Sequence, residues 1–415
     1  MHARGERVRL AVLFFLHAQA AALWGLAMSN VLRTHGLERI VPYTFACGAL
    51  AAMISPLILG SLADQHIPAN RLLRWLAVGT AFFLALTSLA IERGWGMWSV
   101  LALLQSQSLC AAPMWGITTT IILSRLREPD REFGPIRVWG TIGFMSGGWL
   151  TSFVLMADSS TRAGFAASAL WLGIAAFSLT LPEVPPLGGG AVRSWRDVLG
   201  LPALALLAHR DHRVVFLTAA LFSAPLAAFF PFAALHLGDV GVHKIAAAFS
   251  LGQITEIIAM YGLSGLLVRV RLKWIFLTGI GFGAVRFALF AFDTKSALLA
   301  GIALHGLCYT LFFITAQLYL EKRIDPQLRA RAQALLTLMT AGVGTLTGSV
   351  ACDFWRRFCQ HGAATNWPRF WLGMCGTIAC VFVFFAAAYR GVKLSEADAR
   401  ANASNTNVAS GSPEG

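Results

Sequence analysis

Apolar residues in this chain neither alternate as in a strand nor mark one face of a surface helix. They run in long blocks separated by short polar breaks. A membrane helix needs about 20 mostly apolar residues to cross about 30 Å of hydrocarbon. Twelve windows fit, at 10–32, 41–63, 72–91, 97–124, 138–157, 163–181, 214–237, 245–268, 274–292, 296–320, 332–351 and 370–389. The pattern predicts an all-α integral membrane protein with twelve transmembrane helices. The first window holds about 23 residues without a small-residue cleavage site near its end, so it reads as a retained span and not a signal peptide.

The longest polar interval between spans is 182–213, opening Pro182-Glu183-Val184-Pro185-Pro186 and continuing through Gly188-Gly189-Gly190. Proline and glycine stop helices there. The interval divides the spans six and six: an N-terminal bundle over 1–181, a cytoplasmic linker over 182–213, a C-terminal bundle over 214–393, and a tail over 394–415 expected to be disordered. The apolar stretch Leu199–Ala208 reads either as a short surface helix or as plain linker.

Composition narrows the class. Of 415 residues 57% are hydrophobic and 13% charged, where a soluble chain carries about 25% charged residues. A soluble globular enzyme is therefore excluded. Gly 39, Pro 15 and Cys 7 exclude collagenous and disulfide-built proteins. The net charge of +13 is explained by placement. With the N-terminus inside, the inner segments hold 23 of the 33 basic residues, the outer segments nine, and Arg286 lies within a span. That bias places both termini in the cytoplasm of a multi-pass protein of the cell (inner) membrane, and nucleic acid is not needed to account for the charge.

Ionisable residues within spans are functional candidates by default, because hydrocarbon excludes them at a cost of a few kcal/mol. Glu256 lies at the centre of the eighth span, with Gln253 on the same helical face. Desolvation disfavours a carboxylate's charged form, the property a residue needs to load and unload a proton near neutral pH. The alternative is a structural pairing with Arg286. Arg286 itself lies about six residues from the outer end of the ninth span, where snorkelling to the interface is the competing role. His305 and Tyr309 share a face of the tenth span, and a packing histidine is the simpler reading taken alone. His17 with Gln19, His236, and Gln105 with Gln107 are weaker, since neighbouring helices satisfy such groups without a transport role.

In the first half, Pro135 opens a helix well because its missing N–H is not needed there. Arg137, Thr141 and Phe144 then fall at i, i+4 and i+7, placing a cation, a hydroxyl and a ring on one face. That set suits a polar ring-bearing solute, bonded at its rim and stacked on its face. An arginine at the cytoplasmic headgroups is the plainer alternative for Arg137.

Twelve spans in two sixes around a central loop resemble the major facilitator superfamily. Gly60-Ser61-Leu62-Ala63-Asp64 resembles the GxxxD part of its loop 2–3 motif, with Arg71 and Arg74 nearby, and Gly265 with Arg269 stands at the matching place in the second half. Such glycines are expected to let helix ends approach, and such charges to pair at the cytoplasmic face. The segment from Pro135 to Phe144 resembles the span 5 signature of the bacterial nucleoside:H+ symporter family. The likeness continues through Gln253-Ile254-Thr255-Glu256, Arg286-Phe287-Ala288-Leu289-Phe290-Ala291, and Glu321-Lys322 with Pro326, Arg329, Ala332 and Gln333. This resemblance implies that Arg137, Thr141, Phe144, Gln253, Glu256 and Tyr309 line a nucleoside site. Where the family has a tyrosine this chain has His305, and where it has an aspartate after the span 10 aromatic, Thr310. The family's polar pair in span 7 falls in the apolar stretch Leu226–Phe230, and its span 4 asparagine falls on Thr119.

A more distant resemblance, to oligosaccharide:H+ symporters, rests on Phe133-Gly134 with Arg137, on Arg286 and on His305. That family's coupling glutamate falls on Cys308 and its sugar-binding glutamate on Thr119, leaving Glu256 as the best proton carrier. The sequence thus predicts a monomeric proton-coupled symporter for nucleosides or similar polar ring solutes, using no cofactor beyond the proton. Glu256, Arg286 and His305 are its expected coupling residues. A carrier of sugars or other small organic solutes, and a non-transporting membrane sensor, are the alternatives. No metal-spaced His/Cys cluster, nucleophile motif or phosphate loop points to an enzyme. Cys352 and Cys359 flank an outer loop, with free thiols the simpler reading of two open ones.

Overall fold

The computed structural model describes residues 2–65, 67–126, 128–185, 196, 201–362 and 364–391. Helices occupy all twelve places that the apolar blocks mark. In the first half these are α1 (Gly5–Thr34), α2 (Val41–Gln65), α3 (Ala69–Glu92), α4 (Met97–Leu123), α5 (Pro129–Trp149, widening into a π-type stretch over Leu150–Val154) and α6 (Arg162–Thr180). In the second half they are α7 (Arg210–Asp239), α8 (Ile245–Arg269), α9 (Leu272–Phe290), α10 (Lys295–Arg323), α11 (Arg331–Phe358) and α12 (Trp367–Ala388). Among the described residues ten of these are long and apolar enough to cross a membrane. The other two are α2 and α5, and α5 spends its first turns on Asp130, Arg131, Glu132 and Arg137 before its apolar run begins. One element departs from the all-helical expectation, a small hairpin of β1 (Gln360–His361) and β2 (Ala364–Thr365) between α11 and α12.

The packing repeats between halves. In the first, α1 meets α5 and α6, α3 meets α4 and α6, and α2 meets α4. The second repeats this with α7 on α11 and α12, α9 on α10 and α12, and α8 on α10. Glycine makes the central seam of each half. A Cβ at Gly143 would stand 2.2 Å from the Phe15 carbonyl oxygen of α1, and one at Gly147 would stand 2.7 Å from that of Gln19. The same four-residue spacing recurs on α11, where Cβ atoms at Gly344 and Gly348 would meet the Ala220 and Ala224 carbonyls of α7 at 2.7 and 2.3 Å. Residues four apart share a helix face, and bare backbone on that face lets two helices close up by dispersion contact where lipid supplies no hydrophobic drive.

Between halves, α2 packs on α11 and α5 on α8. One end of this interface is tied shut, the end opposite the chain termini. Arg33 donates to Asp239 at 2.6 Å and to the Leu235 carbonyl at 3.1 Å, and Asn30 donates to the Ala234 carbonyl at 3.2 Å. Arg356 bonds Glu38 at 2.9 Å, Lys244 bonds the Ser152 carbonyl at 2.6 Å, and the Ala246 N–H bonds Asp158 at 2.7 Å. At the terminus-bearing end, Arg71 grips Glu183 through Nε and Nη2 at 2.9 and 2.7 Å, within the first half. Lys273 caps the Ala386 carbonyl at 2.6 Å within the second.

Several sequence expectations take a different form. Arg71 pairs with Glu183, while the side chains of 56–66, including Gly60 and Asp64, lie outside the described residues. Gly265 is not at a helix contact, since a Cβ there would meet nothing within 4 Å, and Arg269 is exposed. Leu201–Ala208 forms a 3₁₀ helix, whereas 186–195, 197–200 and the tail from 392 lie outside the described residues. Cys352 and Cys359 are separate buried thiols.

Candidate functional site

The membrane-centre polar groups fall into two sets that meet at Tyr309. The first is built around a break in α7. Pro225 cannot supply an N–H to the ladder, and α7 breaks after Leu226, turning over Ala227 and Ala228 before resuming at Phe229. The break projects Phe229 and Phe230 into a cavity of about 310 Å³ whose lining includes Arg286, His305, Tyr309 and Phe313, with Phe45 of α2 on the far side. Phe229 stacks on His305 at 4.5 Å between ring centroids, with planes 13° apart. Tyr309 lies 6.0 Å beyond His305 on the same face of α10, as its four-residue spacing requires.

Arg286 is fully buried. Its Nη1 lies 2.7 Å from His305 Nδ1. Arginine has only donors, so Nδ1 accepts and the imidazole proton, when His305 is neutral, sits on Nε2. The guanidinium carbon lies 4.4 Å over the Phe229 ring and 4.7 Å over that of Phe287, within cation–π range of both. Its Nε and Nη2 have no hydrogen-bond partner. The side chain therefore turns inward and does not snorkel, because two rings and a histidine acceptor hold it there. Its bonded partner is His305, so the pairing with Glu256 considered from sequence is not what forms.

The second set lies where α5 meets α8. Glu256 is 8% exposed. It is buried by a close approach of α8 to α10: a Cβ at Gly306 would stand 2.0 Å from the Glu256 backbone nitrogen, and Thr255 Oγ1 donates to the Ala303 carbonyl. Arg137 is near enough for its charge to bear on Glu256, and both charges bear on Tyr309. The Arg137 guanidinium lies over Trp115 at 5.0 Å and Phe14 at 5.8 Å, which hold it at the interface in place of the headgroups. Thr141 is buried beneath it, while Phe144 and Gln253 are half-buried. Of the sequence candidates, Arg286, His305 and Tyr309 thus line one cavity, and Arg137 and Glu256 lie on the two helices that meet across the halves, within electrostatic reach of each other. Thr141, Phe144 and Gln253 lie along the same two helices but do not line that cavity.

Sequence reasoning passed over Phe229 and Phe230, which wall the cavity, and Trp115, which packs on Arg137. Pro225 was the available signal for the first two. Three of the weaker candidates have structural partners. His17 bonds Thr118 at 3.0 Å between the edges of Trp115 and Trp171, and Gln19 donates to Ser146 at 3.1 Å. His236 bridges Asp293 at 2.7 Å and Trp371 at 2.9 Å. The Gln105 amide nitrogen is buried without a partner. No group of three or more metal-ligating side chains occurs among the described residues.

Comparison with known proteins shows the family. The family model for the nucleoside H+ symporter matches residues 5–393. A putative nucleoside transporter of Escherichia coli (strain K12), YegT, is 30% identical over 370 residues, covering 84% of this chain and 85% of that one. The nucleoside permease NupG of the same organism is 27% identical over 411 residues, covering 92% and 95%. A crystal structure of the nucleoside transporter NupG superposes with a TM-score of 0.82 at 25% identity, covering 92% of this chain and 99% of that one. The chain, a multi-pass helical membrane protein, belongs to the nucleoside H+ symporter family.

Proposed function

We propose that this protein carries nucleosides into the cell with protons, Glu256 being the group that takes up and releases the coupling proton. Proton-coupled nucleoside transport is the work of the family to which the chain belongs. The observation that carries the assignment of Glu256 is its place: a carboxylate 8% exposed in the middle of α8, which packs on α5 of the other half, within electrostatic reach of Arg137. A charge there responds both to protonation and to any change in the spacing of the halves.

The cycle follows. With both termini in the cytoplasm, as the 23-to-9 distribution of basic residues supports, the closed end faces outward and the present conformation is the one from which solute leaves. Rocking of one six-helix half on the other must break the Arg33–Asp239 and Arg356–Glu38 pairs to open the outer end. Protonation of Glu256 releases its attraction to Arg137 and frees that cation, with Thr141, for solute. Phe144 of α5 and Gln253 of α8 complete the set, one for a ring face and the other for a polar edge. Inward release of solute and proton restores the attraction. No cofactor other than the proton is required, and a monomer contains the whole site.

The test is uptake of labelled uridine by proteoliposomes under an inward proton gradient. Accumulation above the external concentration, collapsing on addition of a protonophore, is expected. Uptake that only equilibrates, with the gradient making no difference, would reject the symport reading.

A further inference from the structure

We propose that Arg286 is the residue that reads the solute's base, and that it selects two adjacent hydrogen-bond acceptors in one plane, the O6/N7 edge of a 6-oxopurine nucleoside. The inference rests on the transport reading above and extends it to a substrate class.

The guanidinium of Arg286 has five N–H donors in a rigid plane. Two rings pack against it, Phe229 at 4.4 Å and Phe287 at 4.7 Å, and Nη1 is engaged by His305 at 2.7 Å. What remains is the edge formed by Nε and Nη2, and neither atom has a partner although the residue is 0% exposed. A buried donor left unpaired is destabilising, and more so when it is charged, so an edge with two of them is a place where a ligand gains affinity. Arg286 lines the 310 Å³ cavity, of a size for a small-molecule site and walled by Phe229, Phe230, Tyr309 and Phe313. Flat aromatic walls favour a planar ring. Two parallel N–H groups favour two coplanar acceptors.

That donor pair matches the O6/N7 edge of a 6-oxopurine, the O2/N3 edge of a cytosine and a carboxylate. In cytidine O2 stands beside the glycosidic bond, where the ribose crowds it, whereas the O6/N7 edge of the purine lies clear of the sugar. Adenosine replaces the O6 acceptor with an amino donor, which would face the arginine donors, and 7-deazainosine removes the N7 acceptor while keeping size and stacking area. An aromatic carboxylate such as benzoate presents the acceptor pair without a ribose.

The experiment is equilibrium binding of inosine, 7-deazainosine, adenosine, cytidine and benzoate to the purified full-length protein, repeated with Arg286→Lys. Lysine keeps the positive charge and loses the planar fork. Wild type is expected to bind inosine at least about fivefold more tightly than 7-deazainosine and adenosine, in line with about 1–3 kcal/mol for a bidentate base contact. Arg286→Lys is expected to level the three. Equal wild-type affinity for inosine and 7-deazainosine would overturn the proposal on the native protein, whatever the variant's stability. Discrimination that survives in Arg286→Lys would also overturn it. Cytidine or benzoate binding more tightly than inosine would move the edge to a cytosine or to carboxylates and overturn the purine assignment. Binding of nucleosides without discrimination refutes this inference alone, whereas failure to bind any nucleoside refutes the transport reading with it.

Discussion

In the first half α5 rests on α1 through Gly143 and Gly147, and in the second α11 rests on α7 through Gly344 and Gly348, with Cβ clearances between 2.2 and 2.7 Å in all four places. The helix pairings match as well, element for element. The chemistry does not. At the α8–α10 crossing the second half places Glu256 against Gly306, with His305 and Tyr309 alongside. At the equivalent α2–α4 crossing the first half shows a serine bonded to backbone, Ser55 to the Leu109 carbonyl at 2.9 Å. The first half contributes its cation from α5 instead. A shared skeleton gives two bodies able to rock as units, and the unequal distribution of charge makes the proton act mainly through one of them.

The largest effect should come from the shared part. Gly348→Leu puts a branched side chain where the Ala224 carbonyl leaves 2.3 Å for a Cβ, and Gly143→Leu does the same against Phe15 at 2.2 Å. Overpacking against backbone costs at least about 3 kcal/mol. Both variants should be lost from the monodisperse fraction on size-exclusion in detergent, and equally so; tolerance of one and not the other would break the equivalence of the halves. Next in size, Arg137→Ala removes the first half's cation and with it a charged hydrogen bond to solute worth about 1.5–3 kcal/mol. Equilibrium binding of uridine should weaken by tenfold or more with the fold intact, and unchanged affinity would remove Arg137 from the site.

A smaller shift is expected at the closed end. Arg33 and Asp239 are 26% and 45% exposed, so their pair contributes about 0–1 kcal/mol. Arg33→Ala should move the inward–outward balance by no more than about fivefold, read by accessibility of a cysteine placed at the outer end of α2, in the direction of outward opening. A shift toward inward closure would contradict the assignment of that end. The smallest effect belongs to Gly265→Ala, since nothing lies within 4 Å of the added methyl. Its uptake rate should stay within about twofold of the parent protein.

The helices were legible because hydrocarbon imposes a length and a polarity that no soluble fold shares. Glu256 and Arg286 were visible for the same reason, as exceptions in apolar runs. What the sequence could not show is which group each exception faces. Arg286, near a span end, had snorkelling as a competing role, and only the third dimension brings Phe229 from α7, Phe287 from its own helix and His305 from α10 around it. The resemblance marks Gly265 as a contact glycine matching Gly60, whereas close contacts fall at other glycines, among them the pairs spaced four apart on α5 and α11 and the lone Gly306 of α10. The pairs were open to periodicity, because two bare positions on one helix face declare a seam; Gly306 carries no such signal.

The central claim is that Glu256 couples the proton to solute movement, and one variant separates coupling from binding. Glu256→Gln keeps shape and hydrogen-bonding capacity but cannot change charge. In proteoliposomes it should retain exchange of internal for external labelled uridine, while an inward proton gradient no longer drives accumulation. Full gradient-driven accumulation by Glu256→Gln, at the parent protein's level, would contradict the account.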